Sequence, residues 1–155
     1  MTVIRTIGHG TLPLESFIAL LKQHEIQVVV DVRSEPFSAR APHFNRRTLE
    51  AALRGAGVTY RWAGETLGGR PPSHLRTKSG APDYERMSRE PETARDLDHL
   101  AEASKQVRVA LMCSEGNPAE CHRSRMLEPE LASRGVQIEH VLRNGELLAQ
   151  PTIFA

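Results

Sequence analysis

The chain has 155 residues, of which 39% are hydrophobic and 25% are charged, and its formal net charge is +1 at pH 7. These values are typical of a soluble protein with one hydrophobic core, so we expect a single domain over residues 1–155. A net charge this close to zero gives no overall field that would attract nucleic acid. Arginine nevertheless supplies 17 of the 20 basic residues, and its planar guanidinium group suits bidentate contacts with phosphate or carboxylate.

The N-terminal stretch MTVIRTIGHG lacks the long apolar core of a secretory signal. No apolar run approaches the roughly 20 residues that a bilayer span requires. We therefore expect a cytoplasmic protein with no membrane partner. In a reducing compartment, Cys113 and Cys121 are better explained as thiols, metal ligands or a redox pair than as a structural disulfide.

Short apolar runs alternate with amphipathic segments along the chain. In chain order the pattern predicts strand TVIRTI, helix LPLESFIALLKQHE, strand QVVVDVR, helix RTLEAALRGAG, strand VTYRW, helix ETARDLDHLAEASK, strand VRVALM, helix PAECHRSRMLEPELASRG and strand VQIEHVL. The valines of the second strand are typical of a strand covered on both faces. The alternation predicts an α/β fold with three αβα layers, Rossmann-like, and a mostly parallel sheet of about five strands.

Two segments fall outside this alternation. Residues 63–91 are polar and rich in glycine and proline, and a loop of that length usually serves as a lid or a binding loop. NGELLAQPTIF at the end of the chain is predicted to be a short tail that begins with an Asn144-Gly145 turn.

Reactive side chains follow several of the predicted strands. His9 comes after the first strand, Asp31 and Arg33 close the second, and Cys113 and Glu115 follow the fourth. Ligands of open α/β sheets bind beyond the carboxyl ends of the strands, so we expect these residues to share one cleft. In a catalytic interpretation, Cys113 is the nucleophile, Asp31 or Glu115 handles a proton, and His9 is an orienting or acid/base partner.

The stretch from Cys113 to Arg123 supports more than one interpretation. The run Asn117-Pro118-Ala119-Glu120 predicts a helix start, whose N–H groups would favour a thiolate at Cys113 or hold a phosphate. Alternatively Cys113, Cys121 and His122 supply three metal ligands, although the cysteines are spaced more widely than in structural zinc sites. Cys121 is also explained as an inert core residue.

Residues 33–76 form an arginine-rich middle with eight arginines and three glutamates. Such an excess suits a nucleotide, a nucleic acid or a phosphorylated metabolite, and is also found on solvated surfaces. We expect Arg33, Arg40 and Arg123 to clamp an anionic group. The region also contains four aromatic residues, which we expect either to stack on a base or to belong to the core: Phe37, Phe44, Tyr60 and Trp62.

Four ordered stretches, TIGHG, DVRSEPFSARAPHFNRRTL, YRWAGETLGGR and LMCSEGNPAECHRSRMLEPEL, resemble the DUF488 family, an uncharacterised family of bacterial and archaeal domains. The resemblance implies a three-layer α/β fold. It marks as motif positions His9, Asp31, Arg33, Ser38, Arg40, Tyr60, Leu67, Gly68, Gly69, Cys113, Glu115, Cys121, His122 and Arg123. Gly10 stands where this family usually has serine, and Pro129 is expected to kink the late helix.

The leading hypothesis is a thiol- or carboxylate-dependent hydrolase or transferase that acts on a nucleotide, nucleoside or nucleic-acid base. Its substrate-binding residues would be Arg33, Ser38, Arg40, Tyr60, Gly68, Gly69, His122 and Arg123. The alternatives are a non-catalytic module that binds nucleic acid or another anion, and a Cys/His metal-binding protein. No cofactor is predicted, the expected partner is an anionic small molecule or nucleic acid, and no oligomeric state is predicted.

Overall fold

The structure, a computed structural model, describes residues 2–116 and 126–149. Six strands form one sheet in the order β3-β2-β4-β1-β5-β6. They are β1 (Thr2–Gly8), β2 (Val28–Asp31), β3 (Thr59–Trp62), β4 (Val109–Cys113), β5 (Val136–Val141) and β6 (Leu147–Ala149). The first five run parallel, and β6 runs antiparallel to β5, which confirms the mostly parallel sheet.

Six α-helices lie within the described ranges, together with short 3-10 turns at Pro42–Phe44 and Ser73–Leu75. The helices are α1 (Leu14–Gln23), α2 (Arg46–Gly55), α3 (Gly64–Leu67), α4 (Tyr84–Arg89), α5 (Pro91–Ala103) and α6 (Glu128–Ala132). None of these helices is long and apolar enough to cross a bilayer.

Helices cover both faces of the sheet, as the three-layer prediction requires. The apolar side chains of α1 and α2 pack with Val29 and Met112 in one core cluster. Those of α4, α5 and α6 pack with Val30 and Leu111 in a second cluster on the opposite face. All five residues of β4 are buried, because this strand lies in the middle of the sheet between β2 and β1.

The segment 63–91 was predicted to be a long loop, and this prediction is wrong in part. It contains α3 and α4, and it places Leu67 and Met87 in the core with 0% and 4% of their surface exposed. The sequence signal was weak because both helices are short, with four and six residues, and glycine and proline dominate the residues between them.

The end of the chain differs from its prediction as well. The expected tail contains β6, joined to β5 by the Asn144-Gly145 turn, so the sheet has six strands instead of about five. Pro129 lies in the first turn of α6, where proline's missing N–H costs no helical hydrogen bond. Most of the predicted helix before Pro129 lies outside the described residues, so the expected kink stays a prediction.

Gly8 at the end of β1 allows β1 and the segment after β4 to approach closely. A Cβ atom added at Gly8 would lie 1.8 Å from the backbone oxygen of Glu115. A side chain at this position would push apart the two strand ends that carry His9 and Cys113.

We expect Gly8→Ala to lower the free energy of unfolding by about 1–3 kcal/mol or more, because backbone atoms have to move to admit the methyl group. Gly55→Ala is the matched control, since an added Cβ there meets no atom within 4 Å. Urea denaturation followed by circular dichroism measures both variants. Equal stability of Gly8→Ala and the parent protein would contradict the close approach between Gly8 and the backbone of Glu115.

Candidate functional site

The carboxyl ends of β1, β2 and β4 lie side by side, and each brings a predicted site residue with it. Gly8 pairs with Cys113 across β1 and β4, and the backbone N–H of His9 donates to the Cys113 oxygen at 2.9 Å. Asp31 pairs with Met112 across β2 and β4. Fragments that are distant in sequence therefore meet at one edge of the sheet.

Asp31 and Arg33 form a buried, bidentate ion pair at this edge. Arg33 Nε donates to Asp31 Oδ1 at 2.9 Å and Arg33 Nη2 donates to Asp31 Oδ2 at 2.7 Å. Asp31 is 0% exposed and Arg33 is 5% exposed. A charge buried this deeply requires a partner with good geometry, and the paired fork of Arg33 provides it.

Asp31 accepts two further hydrogen bonds, from the backbone N–H of Arg33 at 3.1 Å and from the Tyr60 hydroxyl at 2.6 Å. Burial raises the pKa of Tyr60, and the hydrogen bond to Asp31 raises it further, so Tyr60 remains a protonated donor. With four donors on its two oxygens and no exposed surface, Asp31 is placed to position Arg33. This geometry does not favour proton exchange between Asp31 and a substrate.

His9 packs behind Arg33 and stacks on Phe44, with 4.5 Å between the ring centroids. Its Nε2 lies 3.5 Å from Arg33 Nη1 and its Nδ1 lies 2.9 Å from the Gly10 oxygen. A guanidinium only donates and a carbonyl only accepts, so the proton of the neutral ring resides on Nδ1. Burial lowers the pKa of His9, which keeps the imidazole neutral and suited to orienting Arg33.

A cleft of about 330 Å³ opens at this edge. Cys113 and Arg33 line it together with residues from the neighbouring loops and α4: Ser34, Glu35, Phe37, Gly69, Arg70, Tyr84, Ser114 and Glu115. Its volume falls within the usual range of small-molecule sites. The cleft therefore has room for a compact ligand beside the Cys113 thiol.

Cys113 is 2% exposed, and its Sγ donates to the backbone oxygen of Glu115 at 3.4 Å. Ser114 and Glu115 are exposed at the cleft. Arg33, which follows β2, lines the same cleft. Residues that carry a thiol, a carboxylate and a guanidinium thus line one cleft, and such a set is capable of nucleophilic and acid–base chemistry.

Ser38 and Arg40 were predicted as substrate contacts, but they lie outside the lining of this cleft. Ser38 shapes its own loop, since its backbone N–H donates to Asn45 Oδ1 at 2.7 Å and its Oγ accepts from the Ala41 N–H at 3.0 Å. Arg40 is exposed on the same loop.

Tyr60, Gly68 and Gly69 were also predicted as substrate contacts. Tyr60 lies outside the cleft lining, where its hydroxyl donates to Asp31. Gly69 lines the cleft, and Gly68 permits close packing, because an added Cβ would lie 2.1 Å from Ser34 Oγ.

The predicted residues Cys121, His122 and Arg123 lie outside the described residues, as does the proposed helix start at Asn117. The metal set of Cys113, Cys121 and His122 therefore stays a prediction. Among residues 2–116 and 126–149, no group of three or more histidines, cysteines and carboxylates is arranged to hold a metal ion.

Several residues of the cleft lining are absent from the substrate-binding set predicted from the sequence. Arg70 lies at the mouth, where its Nη1 is 3.6 Å from Glu35 Oε2 in an exposed ion pair, and its backbone N–H donates to Ser34 Oγ. Tyr84 comes from α4, which was not predicted. Arg70 directly follows the Gly68-Gly69 pair, and that position was the available signal.

We expect Asp31→Asn to lower the free energy of unfolding by about 3–5 kcal/mol, because it leaves the buried Arg33 charge without its counter-ion. The matched control is Glu35→Gln, which breaks the exposed pair with Arg70, and its expected effect is below about 1 kcal/mol. Thermal and urea unfolding measure both. A loss of stability in Asp31→Asn as small as that in Glu35→Gln would contradict a stabilising role of the buried ion pair.

Because the pKa of folded His9 lies below the ordinary value of 6.5, the unfolded chain binds this proton more tightly than the folded protein does. Stability should therefore fall as the pH drops below about 6.5. His9→Asn keeps an N–H donor and cannot be protonated, so it should lose less stability between about pH 7.5 and about pH 5.5. Urea unfolding of both proteins at the two pH values tests this, and identical losses would refute it.

The scan against family models matches residues 13–128 to a family described as "Domain of unknown function DUF488". The match includes β2, β3, β4 and the cleft residues that they carry, while β1 and His9 precede it. Searches of curated proteins and of solved structures found no match. Since the matched range covers 116 of the 155 residues, the chain belongs to the DUF488 family of domains of unknown function.

Proposed function

We propose that this protein is an enzyme that uses the Cys113 thiol on an anionic substrate of the nucleotide, nucleoside or nucleic-acid base class. The observation that carries the proposal is that Cys113 lines the cleft together with Glu115 and Arg33. A lone buried cysteine would be an ordinary core residue. A cysteine that lines a cleft together with an acid and a guanidinium has the surroundings of a nucleophile.

Arg33 supplies a preorganised donor to this cleft. Within the described residues, four of its five N–H groups have acceptors, namely both Asp31 oxygens, the Phe44 oxygen and His9 Nε2. The remaining Nη1 hydrogen has no acceptor among the described residues, and in this proposal it donates to a ligand oxygen. Because Asp31, Phe44 and His9 already hold the side chain, little conformational entropy is lost when a ligand binds it.

Arg70 supplies a second, adjustable cation. Its side chain is 76% exposed and its partner Glu35 is 74% exposed, so their ion pair contributes little and a ligand phosphate can replace the carboxylate. Phe37, with 69% of its surface exposed, and the half-buried Tyr84 also line the cleft. Such rings stack on a nucleobase, which supports the proposed substrate class.

In the proposed reaction, the Glu115 carboxylate takes the Cys113 proton as Sγ attacks an electrophilic carbon of the substrate. The bond from that carbon to its leaving group breaks, and Glu115 returns the proton to the leaving group. Water then attacks the carbon of the carbon–sulfur adduct and loses a proton to Glu115, and the carbon–sulfur bond breaks. Glu115 passes that proton to Sγ, which restores the Cys113 thiol and the Glu115 carboxylate. With an acceptor other than water, the same two steps transfer the substrate group.

We expect Cys113→Ser and Glu115→Gln each to lower turnover by about 100-fold or more in a screen of nucleosides, nucleotides and short oligonucleotides. Cys121→Ser, at the other cysteine of the chain, is the control and should retain activity. In parallel, iodoacetamide labelling read by peptide mass spectrometry should modify Cys113, and a bound nucleotide should slow it. Full turnover by Cys113→Ser would remove the thiol from the mechanism.

A further inference from the structure

Six arginines of the arginine-rich middle are exposed, of which Arg70 pairs with Glu35. The other five are Arg40, Arg46, Arg47, Arg54 and Arg61. Within residues 2–116 and 126–149, none of them forms an ion pair with a carboxylate. Among the exposed arginines elsewhere in these ranges, Arg89 pairs with Glu85 and Arg108 pairs with Glu25, whereas Arg86 and Arg143 have no carboxylate partner. Within the described residues, exposed arginines without a carboxylate partner are thus most numerous around α2 and the edge strand β3.

This charged surface is continuous with the cleft. The indole Nε1 of Trp62 donates to the Arg33 backbone oxygen at 2.8 Å, and the guanidinium carbon of Arg46 lies 4.9 Å from the centre of the Trp62 ring. Arg46 in turn begins α2, and its backbone N–H donates to the Pro36 oxygen. Trp62 and Arg46 therefore connect the residues behind the cleft to the arginines of α2.

The far end of the surface lies along β3. Arg54 and Arg61 line a shallow cavity of about 240 Å³ with Glu50 and Tyr60. Residues 46 and 54 are eight positions apart on α2, which corresponds to about 12 Å along the helix axis. A ligand that contacts the Cys113 cleft, Arg46 and Arg54 at once must be longer than a mononucleotide.

We propose that Arg40, Arg46, Arg47, Arg54, Arg61 and Trp62 form a binding surface for single-stranded nucleic acid, and that one of its bases enters the Cys113 cleft. The inference rests on the proposed function and narrows its substrate to a polymer. Arginine forks match phosphate oxygens, and aromatic rings beside them are typical of single-strand binding. A base within a duplex would first have to leave its stack to reach the thiol, so an unpaired strand is the favoured partner.

Trp62 is the sole tryptophan of the chain, so its fluorescence reports directly on this surface. We expect oligonucleotides of about 12 nucleotides, both DNA and RNA, to quench it and to bind with an affinity that falls steeply with salt between about 50 and about 300 mM NaCl. Fluorescence anisotropy of a labelled strand gives the dissociation constant. The relative affinities of the DNA and RNA strands then identify the sugar that the surface prefers.

The triple variant Arg47→Gln, Arg54→Gln, Arg61→Gln should weaken binding of the oligonucleotide roughly tenfold or more. It should also reduce the slope of log Kd against log salt by about two, because each lost phosphate contact lowers that slope by about 0.7. The control triple Arg89→Gln, Arg95→Gln, Arg108→Gln removes the same charge from arginines that already have carboxylate partners. Equal losses in both triples would overturn the proposal. Equal affinity for a duplex of the same sequence, or binding to anionic lipid vesicles without binding to oligonucleotides, would overturn it as well.

Failure of this inference is distinguishable from failure of the proposed function. If mononucleotides protect Cys113 from alkylation while oligonucleotides bind no more tightly than mononucleotides, the enzyme proposal stands and the extended surface is refuted. If oligonucleotides bind as expected while Cys113→Ser retains full turnover, the surface stands and the thiol mechanism is refuted.

Discussion

The candidate site depends on one buried ion pair, that of Asp31 and Arg33. Moving two charges out of water is costly, and it is tolerated only where nearly every donor and acceptor is matched. Tyr60 and His9 complete that matching from β3 and from the end of β1, respectively. Four side chains from three strands are therefore fixed relative to one another before any ligand arrives, and this preorganisation gives the edge of the sheet a defined geometry.

The pair also explains why the loop after β2 takes its observed course. Arg33 Nη2 donates to the Phe44 oxygen at 2.8 Å, and the Phe44 ring is 0% exposed between His9 and Phe17. The loop is thus fixed at its start by Arg33 and near its end by Phe44. Between these two points Ala41 is buried in the core, whereas Phe37 is 69% exposed although it is large and apolar.

The sequence was sufficient to predict the layered α/β fold and the convergence of strand ends, because valine-rich strands and amphipathic helices have strong periodic patterns. It could not separate positioning residues from ligand contacts. Asp31 and Glu115 are both acids that follow strands, yet Asp31 is wholly buried with four donors while Glu115 is exposed at the cleft. That difference arises from Tyr60 and Arg33 meeting Asp31 in three dimensions, and residue type alone does not encode it.

The same limit applies to the arginines. From the sequence, Arg33 and Arg40 were equivalent members of an anion clamp, but the fork of Arg33 is directed at Asp31, whereas Arg40 is exposed and outside the cleft lining. The charge of Arg33 is largely cancelled by its partner, so in the proposed function the cleft would bind an anion mainly through one N–H group of Arg33 and through Arg70. Long-range attraction of that anion would then come from the exposed arginines on α2 and β3, which lack carboxylate partners among the described residues. Under this proposal the buried, neutralised arginine orients the ligand and the exposed arginines steer it.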